Sequence, residues 1–208
     1  MNTLYIILQG KIDDTTTSAC KEGINFLLRT NVYQNLEIQL NCNGGDVLST
    51  EELANFLKGI ELPITTWNTG SVESSAQLIY SLGNPRYTDM GGMFLFHKAV
   101  ALSLPDDLQI GQNVWDYKDY LEQQQTRYIA QVVSGNVTNT NFDKQTILSW
   151  MTEGIRFGAQ GALELGYANE IKTPTPLNPL SNVCWVDNNL VLVMSGGKSY
   201  HKLYRETS

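Results

Sequence analysis

Charge is scarce in this chain, positive charge most of all. Only 17% of its 208 residues are charged, and 14 basic side chains face 21 acidic ones, for a net charge of −7. A surface of that sign repels phosphate backbones, which argues against nucleic-acid binding. Long apolar runs are missing too: none approaches the roughly 20 residues that cross a bilayer. The opening MNTLYIILQG has no basic segment ahead of its short apolar run. No export signal is expected, and the protein is read as soluble and cytoplasmic. Cysteine is rare, and Cys20, Cys42 and Cys184 are odd in number with no C-x-x-C spacing, which argues against a disulfide framework. Histidine is rarer still. His97 and His201 are the whole supply, so any chemistry that needs an imidazole has two places to go.

What is present is a regular alternation of strand and helix signals. LYIIL (4–8) suits a buried strand. The next segment, from 13 or 14, carries Asp13 or Asp14 as a helix cap, with Ala19, Gly23, Phe26 and Leu27 along one face. LEIQLN (36–41) alternates Leu36, Ile38 and Leu40 with polar residues, as a strand does. STEELANFLKGI opens with a capping box, Ser49 to Glu52, and spaces Leu53, Phe56 and Leu57 as a helix. PITTW (63–67) is a further strand, 74–82 a further helix, and MFLFH (93–97) a strand ending on His97. The order implies an α/β fold with a mainly parallel sheet. A long polar helix follows at 112–133, with an apolar stripe of Val114, Tyr117, Leu121, Tyr128 and Val132 that suits tertiary or subunit packing. KQTILSWM and AQGALELG resume the helical pattern. KTPTPLNPL (172–180) holds three of six prolines and reads as a linker. VCWVDNNLVLVM reads as a hairpin turning at 187–189, and SGGKSYHKLYRETS as a mobile tail. The division expected is one α/β domain over 1–172, then linker, hairpin and tail over 173–208.

Three stretches carry chemistry that would have to meet in space. TGSVESSAQLIYSLG (69–83) offers Ser71, Ser74 and Ser75, and a serine is by default only a cap or a solvated hydroxyl. A helix start near Glu73 would favour an oxyanion at Ser74 or Ser75. His97, at a strand end, is the general base that a serine nucleophile needs. NGGD (43–46) can turn backbone N–H groups toward a cavity, as an oxyanion hole requires. Each is weak alone, because a lone histidine and a glycine pair both have structural readings.

Taken in order, NCNGGDV (41–47), GSVES (70–74) and FLFHKA (94–99) resemble the proteolytic subunit of the Clp protease, within the wider crotonase-like fold. Near the end, FGAQGALELGYANEI (157–171) is similar to a further stretch of that family, and Gly83 matches its glycine after the serine helix. The resemblance implies a β-α-β superhelix with a mainly parallel sheet and a long handle helix. It implies Ser74 as nucleophile, His97 as base, and an oxyanion hole from Gly44 or Gly45 with the N–H of Ser75. The expected partners are a peptide or unfolded protein substrate and copies of the chain in a ring, a heptamer or stacked rings. The mechanism calls for neither metal nor cofactor.

The chain also departs from the family pattern. The family's aspartate, about five residues before the match to Ala159, falls on Gly154, so Glu153 is the carboxylate expected to complete the triad. Asp106, Asp107 and Asp116 are weaker alternatives. ALSLPDDLQIGQ replaces a glycine-rich segment that lines the substrate groove. The family's N-terminal loops have no counterpart here, so an unfoldase ATPase is not expected as partner. A serine endopeptidase is the leading reading and an inactive ring-forming subunit the alternative. Acyl-CoA chemistry on the same fold ranks below both, because the register of Ser74 with His97 is not explained by it and no basic patch awaits CoA phosphates.

Overall fold

The computed structural model describes residues 2–98, 112–135, 143–178, 180–188 and 190–204. In it the apolar run 4–8 and the alternating segment 36–41 become neighbouring strands, β1 (Thr3–Ile12) and β2 (Asn35–Gly45), paired in parallel with Leu4 opposite Leu36 and Leu8 opposite Leu40. Their alternate residues Leu4, Ile6, Leu8, Leu36, Ile38 and Leu40 are all buried. Each such side chain contributes roughly 1.5–3 kcal/mol. Helix α1 (Asp14–Thr30) starts where the Asp13 carboxylate accepts the Thr16 N–H at 2.9 Å, and buries Cys20, Ile24 and Leu27. Phe26 lies on its exposed side.

Helix α2 (Val47–Lys58) begins earlier than the Ser49–Glu52 box implied. Asp46 is its cap and accepts the Ser49 N–H at 2.8 Å, while Glu52 pairs with Lys21 of α1. A carboxylate three residues upstream of Ser49 takes the role the serine would have had.

Strand β3 (Ile64–Glu73) is twice the length expected and runs into the serine-rich stretch as far as Glu73. Its first half pairs with β4 (Arg86–Thr88), and its last three residues with β5 (Met93–Leu95). β3 thus leaves one neighbour and takes another, which turns the sheet toward the site. Helix α3 (Ala76–Tyr80) is correspondingly short. Then follow α4 (Gln112–Gly135), α5 (Lys144–Glu153), β6 (Arg156–Gly158), α6 (Ala159–Glu164), β7 (Glu170–Ile171), β8 (Asn182–Asp187), β9 (Leu190–Ser195) and β10 (Lys198–Tyr204).

Among the described residues the strands form one ten-stranded sheet, with the path β10-β9-β8-β1-β2-β3-β4-β7 and β5-β6 branching from β3. The sheet is mixed, not mainly parallel. β1-β2, β1-β8, β2-β3, β3-β4, β3-β5 and β4-β7 pair in parallel, but β8-β9, β9-β10 and β5-β6 are antiparallel. The departure arises because the C-terminal segment docks beside β1 as a meander: a hairpin must return antiparallel. Residues 198–204, expected to be mobile, are the third strand of that meander.

Under α3 lies an aromatic cluster in which Tyr80, Phe94, Phe96, Phe157 and Tyr167 meet at ring separations of 5.1–6.1 Å. Arg86 is buried beside it and donates to the carbonyls of Tyr167, Gly83 and Gly135 at 2.8, 3.1 and 3.1 Å. Burial holds its guanidinium below the usual arginine range, and those carbonyls are what compensate the buried charge. The C-terminus of α4 is fastened to β4 by this contact. On α4, Tyr128 and Val132 of the expected stripe are buried; the side chains of Val114, Tyr117 and Leu121 lie outside the described residues. No helix among the described residues is long and apolar enough to cross a membrane.

Candidate active site

The three serines of residues 71–75 have three different environments. Ser71 lies in β3, and its hydroxyl donates to the Glu73 carboxylate at 2.7 Å. Ser75 is buried, its hydroxyl 3.0 Å from that of Thr50 and 3.4 Å from the Gly45 carbonyl oxygen. Ser74 is half-buried, and among the described residues its hydroxyl has no partner. Its backbone is in the left-handed region, φ 52°, which an L-residue enters at a cost of about 1–2 kcal/mol. That conformation ends β3 and throws the side chain out of the strand's alternation.

Several bonds hold it there. The Ser74 N–H donates to Leu95 O at 2.9 Å, and the Tyr128 hydroxyl donates to Ser74 O at 3.1 Å. The Gln77 amide behind the turn donates to Val72 O at 2.7 Å and Leu95 O at 3.3 Å, and itself accepts from the Tyr167 hydroxyl at 2.7 Å. Strand β5 is thereby locked to the Ser74 turn, and His97 follows two residues later.

His97 is bracketed by main-chain bonds to the end of α5. Phe96 N–H donates to Ile155 O and Lys98 N–H to Met151 O, both at 3.0 Å. The imidazole Nδ1 lies 2.7 Å from Lys98 O. A carbonyl oxygen only accepts, so Nδ1–H is the donor in this contact. Ser74 and His97 line one small depression, together with Val47, Ser75, Gln124, Gln125, Tyr128 and Met151.

Glu153 stands apart. It is exposed on the last turn of α5, and its carboxylate accepts the Ser149 hydroxyl at 2.7 Å. Among the described residues no hydrogen bond or ion pair joins it to His97. Gly154, at φ 66°, is the left-handed cap of that helix. Asp106, Asp107 and the side chain of Asp116 lie outside the described residues.

Gly44 has φ 78°, and a Cβ built on it would come within 2.6 Å of Glu73 O, 2.8 Å of Ser74 Cβ and 2.9 Å of Ser75 N. Its lack of a side chain therefore keeps open the space between the Ser74 side chain and the Ser75 N–H. Gly45 is pressed against β1, where a Cβ would meet Ile12 O at 2.0 Å. The thiol closest in sequence, Cys42, is no rival nucleophile: burial pushes it up to about 12, so it stays protonated near neutrality.

Sequence reasoning gave no site role to Asn41, Gln77 or Gln124 and placed Tyr128 only in a packing stripe. Asn41 Oδ1 accepts the Ser71 N–H at 3.0 Å and ties the end of β3 to β2. The one available signal was Gln77, a lone amide inside the apolar run AQLIY.

A serine held in a left-handed turn at a strand end, a histidine lining the same depression and a glycine packed against that turn thus lie together at this end of the sheet. The chain belongs to the Clp protease family, whose model, described as Clp protease, matches residues 1–175. That family consists of serine peptidases that typically form oligomeric rings. A search of curated proteins finds no match.

Proposed function

We propose that this chain is a serine endopeptidase working through an acyl-enzyme, with Ser74 as nucleophile and His97 as general base. The observation that carries the reading is the difference among Ser71, Ser74 and Ser75: among the described residues only the Ser74 hydroxyl has no partner, and it stands in a left-handed turn that shares a depression with His97. Nε2 of His97 takes the Ser74 proton as Oγ attacks the peptide carbonyl carbon. The resulting oxyanion is met by the N–H of Ser75 and that of Gly44 or Gly45. The imidazolium then protonates the leaving amine, and a water molecule repeats the sequence to release the acid.

For the residue behind the imidazole, register favours Glu153, whereas the 2.7 Å contact to Lys98 O favours a main-chain carbonyl. We adopt the carbonyl. It fixes the tautomer but, being neutral, stabilises the imidazolium less than a carboxylate does, so slow turnover is expected. Assembly follows the family: copies of the chain form a ring around the active sites, α4 serves as the contact between rings, and peptides or unfolded chains are the substrate.

The test is hydrolysis of unstructured, internally quenched peptides by the purified chain and by Ser74→Ala and His97→Ala. Cleavage that both substitutions abolish supports the proposal. Cleavage that survives either one, or a wild-type chain that forms rings yet cleaves nothing, removes it.

A further inference from the structure

The Ser74 turn is held from behind by one side chain, that of Gln77, which is fully buried. The Gln77 main-chain N–H donates to Ser74 O at 3.1 Å. Its side-chain Nε2 reaches two further carbonyls, Val72 O at 2.7 Å and Leu95 O at 3.3 Å. Val72 precedes Ser74 by two residues in β3, and Leu95 precedes His97 by two at the end of β5. The Ser74 N–H shares the same Leu95 oxygen at 2.9 Å. One amide thus spans the strand that delivers the serine and the strand that delivers the histidine.

An amide can face either way, and only one way serves here. Flipped, its oxygen would oppose Val72 O and Leu95 O, acceptor against acceptor. The working orientation is completed from the far side by the Tyr167 hydroxyl, which donates to Gln77 Oε1 at 2.7 Å, with the Ser81 hydroxyl 3.3 Å from the same phenol. Tyr167 is also fully buried, and its main chain is pinned. Its N–H donates to Ala162 O of α6 and its carbonyl accepts from Arg86, both at 2.8 Å. Burial raises the phenol, so the hydroxyl remains a donor through neutral pH.

From this geometry we infer that Gln77 and Tyr167 are positioning residues for the Ser74–His97 pair. Tyr167, set by the segment that joins α6 to β7, orients the Gln77 amide, and that amide fixes the approach of the two strand ends. The inference rests on the peptidase reading and adds what presets its geometry. Neither side chain lines the depression that holds Ser74 and His97, so their loss should fall on turnover and not on substrate binding. A misplacement of about 1 Å costs on the order of 10²-fold in rate.

The test measures kcat and KM separately on a quenched peptide for the full chain, Gln77→Leu, Tyr167→Phe and the double variant, each with its melting temperature. Gln77→Leu should lower kcat by about 10–10²-fold and Tyr167→Phe by about threefold to tenfold, with KM within about twofold in both. Because Tyr167 acts through Gln77, adding Tyr167→Phe to Gln77→Leu should lower kcat no further. Tyr80→Phe is the control: it removes a hydroxyl from the same aromatic cluster, one that donates to Tyr87 O at 3.2 Å, and should lower Tm while leaving kcat unchanged. Gln77→Met takes the place of Gln77→Leu if that variant folds poorly. Folded single variants with unchanged kcat, losses that multiply in the double variant, or an equal loss of kcat in Tyr80→Phe each overturn the inference alone. If wild type cleaves nothing, or Ser74→Ala cleaves as wild type does, the peptidase reading fails and this inference falls with it.

Discussion

Gly44→Ala is the substitution on which the oxyanion-hole geometry is most exposed. The new Cβ would sit at 2.6 Å from Glu73 O, 2.8 Å from Ser74 Cβ and 2.9 Å from Ser75 N. Ordinary contact lies near 3.5 Å, so the turn has to yield by about half an ångström or more. That is the whole tolerance of a preorganised site. The left-handed φ of 78° adds about 1–2 kcal/mol for any L side chain. The methyl also occupies the space that an oxyanion would need in front of the Ser75 N–H. Losing one such donor costs about 10²–10³ in kcat, and a loss of that size in kcat/KM is predicted here, with a modest fall in Tm. Gly91→Ala is the control, because a Cβ there has nothing within 4 Å. Peptide cleavage measured beside thermal melting of both variants decides. A folded Gly44→Ala variant within threefold of wild type would refute the geometry.

Four further predictions follow from the same contacts. Glu153→Gln should lower kcat less than tenfold, since Lys98 O already holds Nδ1 of His97; a loss near 10⁴, typical of a missing triad carboxylate, would return Glu153 to the triad. Ser74→Gly should abolish cleavage yet raise stability by up to about 1 kcal/mol, because it relieves the left-handed backbone; a lower melting temperature contradicts that. Arg86→Met should destabilise by roughly 3–5 kcal/mol by leaving three carbonyls unpaired, lowering Tm by about 10 °C; an unchanged melt would show that the α4–β4 fastening carries little. Burial raises the Glu37 carboxyl above its usual range, opposed by Gln39, Trp67 and Lys172. The folded state therefore favours the protonated form, and stability is lost as pH rises through that raised value. Glu37→Gln should melt higher than wild type at pH 7, and the two curves should converge below about pH 4.5.

Strands with apolar alternation were legible in the sequence: Leu36, Ile38 and Leu40 mark β2 without any knowledge of its neighbours. The order and spacing of Ser74, His97 and Gly44 are visible in one dimension, and the fold brings Ser74 and His97 to one depression with Gly44 beside the Ser74 turn. The second half of β3 was not. TGSVE has one buried apolar residue, Val72, and its extension depends on Asn41 and Gln77, which act from other elements. The strand at 198–204 hid for a related reason: SYHKLY alternates weakly, and pairing with β9 supplies what its own pattern lacks. β4 is three residues long and declares itself only through Arg86 and the carbonyls it gathers. The cap of α2 was misjudged because Asp46 and Ser49 both qualify, and only the fold decides which N–H each faces. The group behind His97 was beyond reach for a different reason, since a main-chain carbonyl has no letter in the sequence.

The central claim is that Ser74 is the nucleophile, and one measurement addresses it directly. Incubate the purified chain with a fluorophosphonate, digest it, and locate the adduct by mass spectrometry, with Ser74→Ala alongside. The account predicts a single adduct on Ser74, lost in Ser74→Ala and slowed strongly in His97→Ala. An unlabelled Ser74 in a folded chain, or an adduct on Ser71 or Ser75, would contradict it.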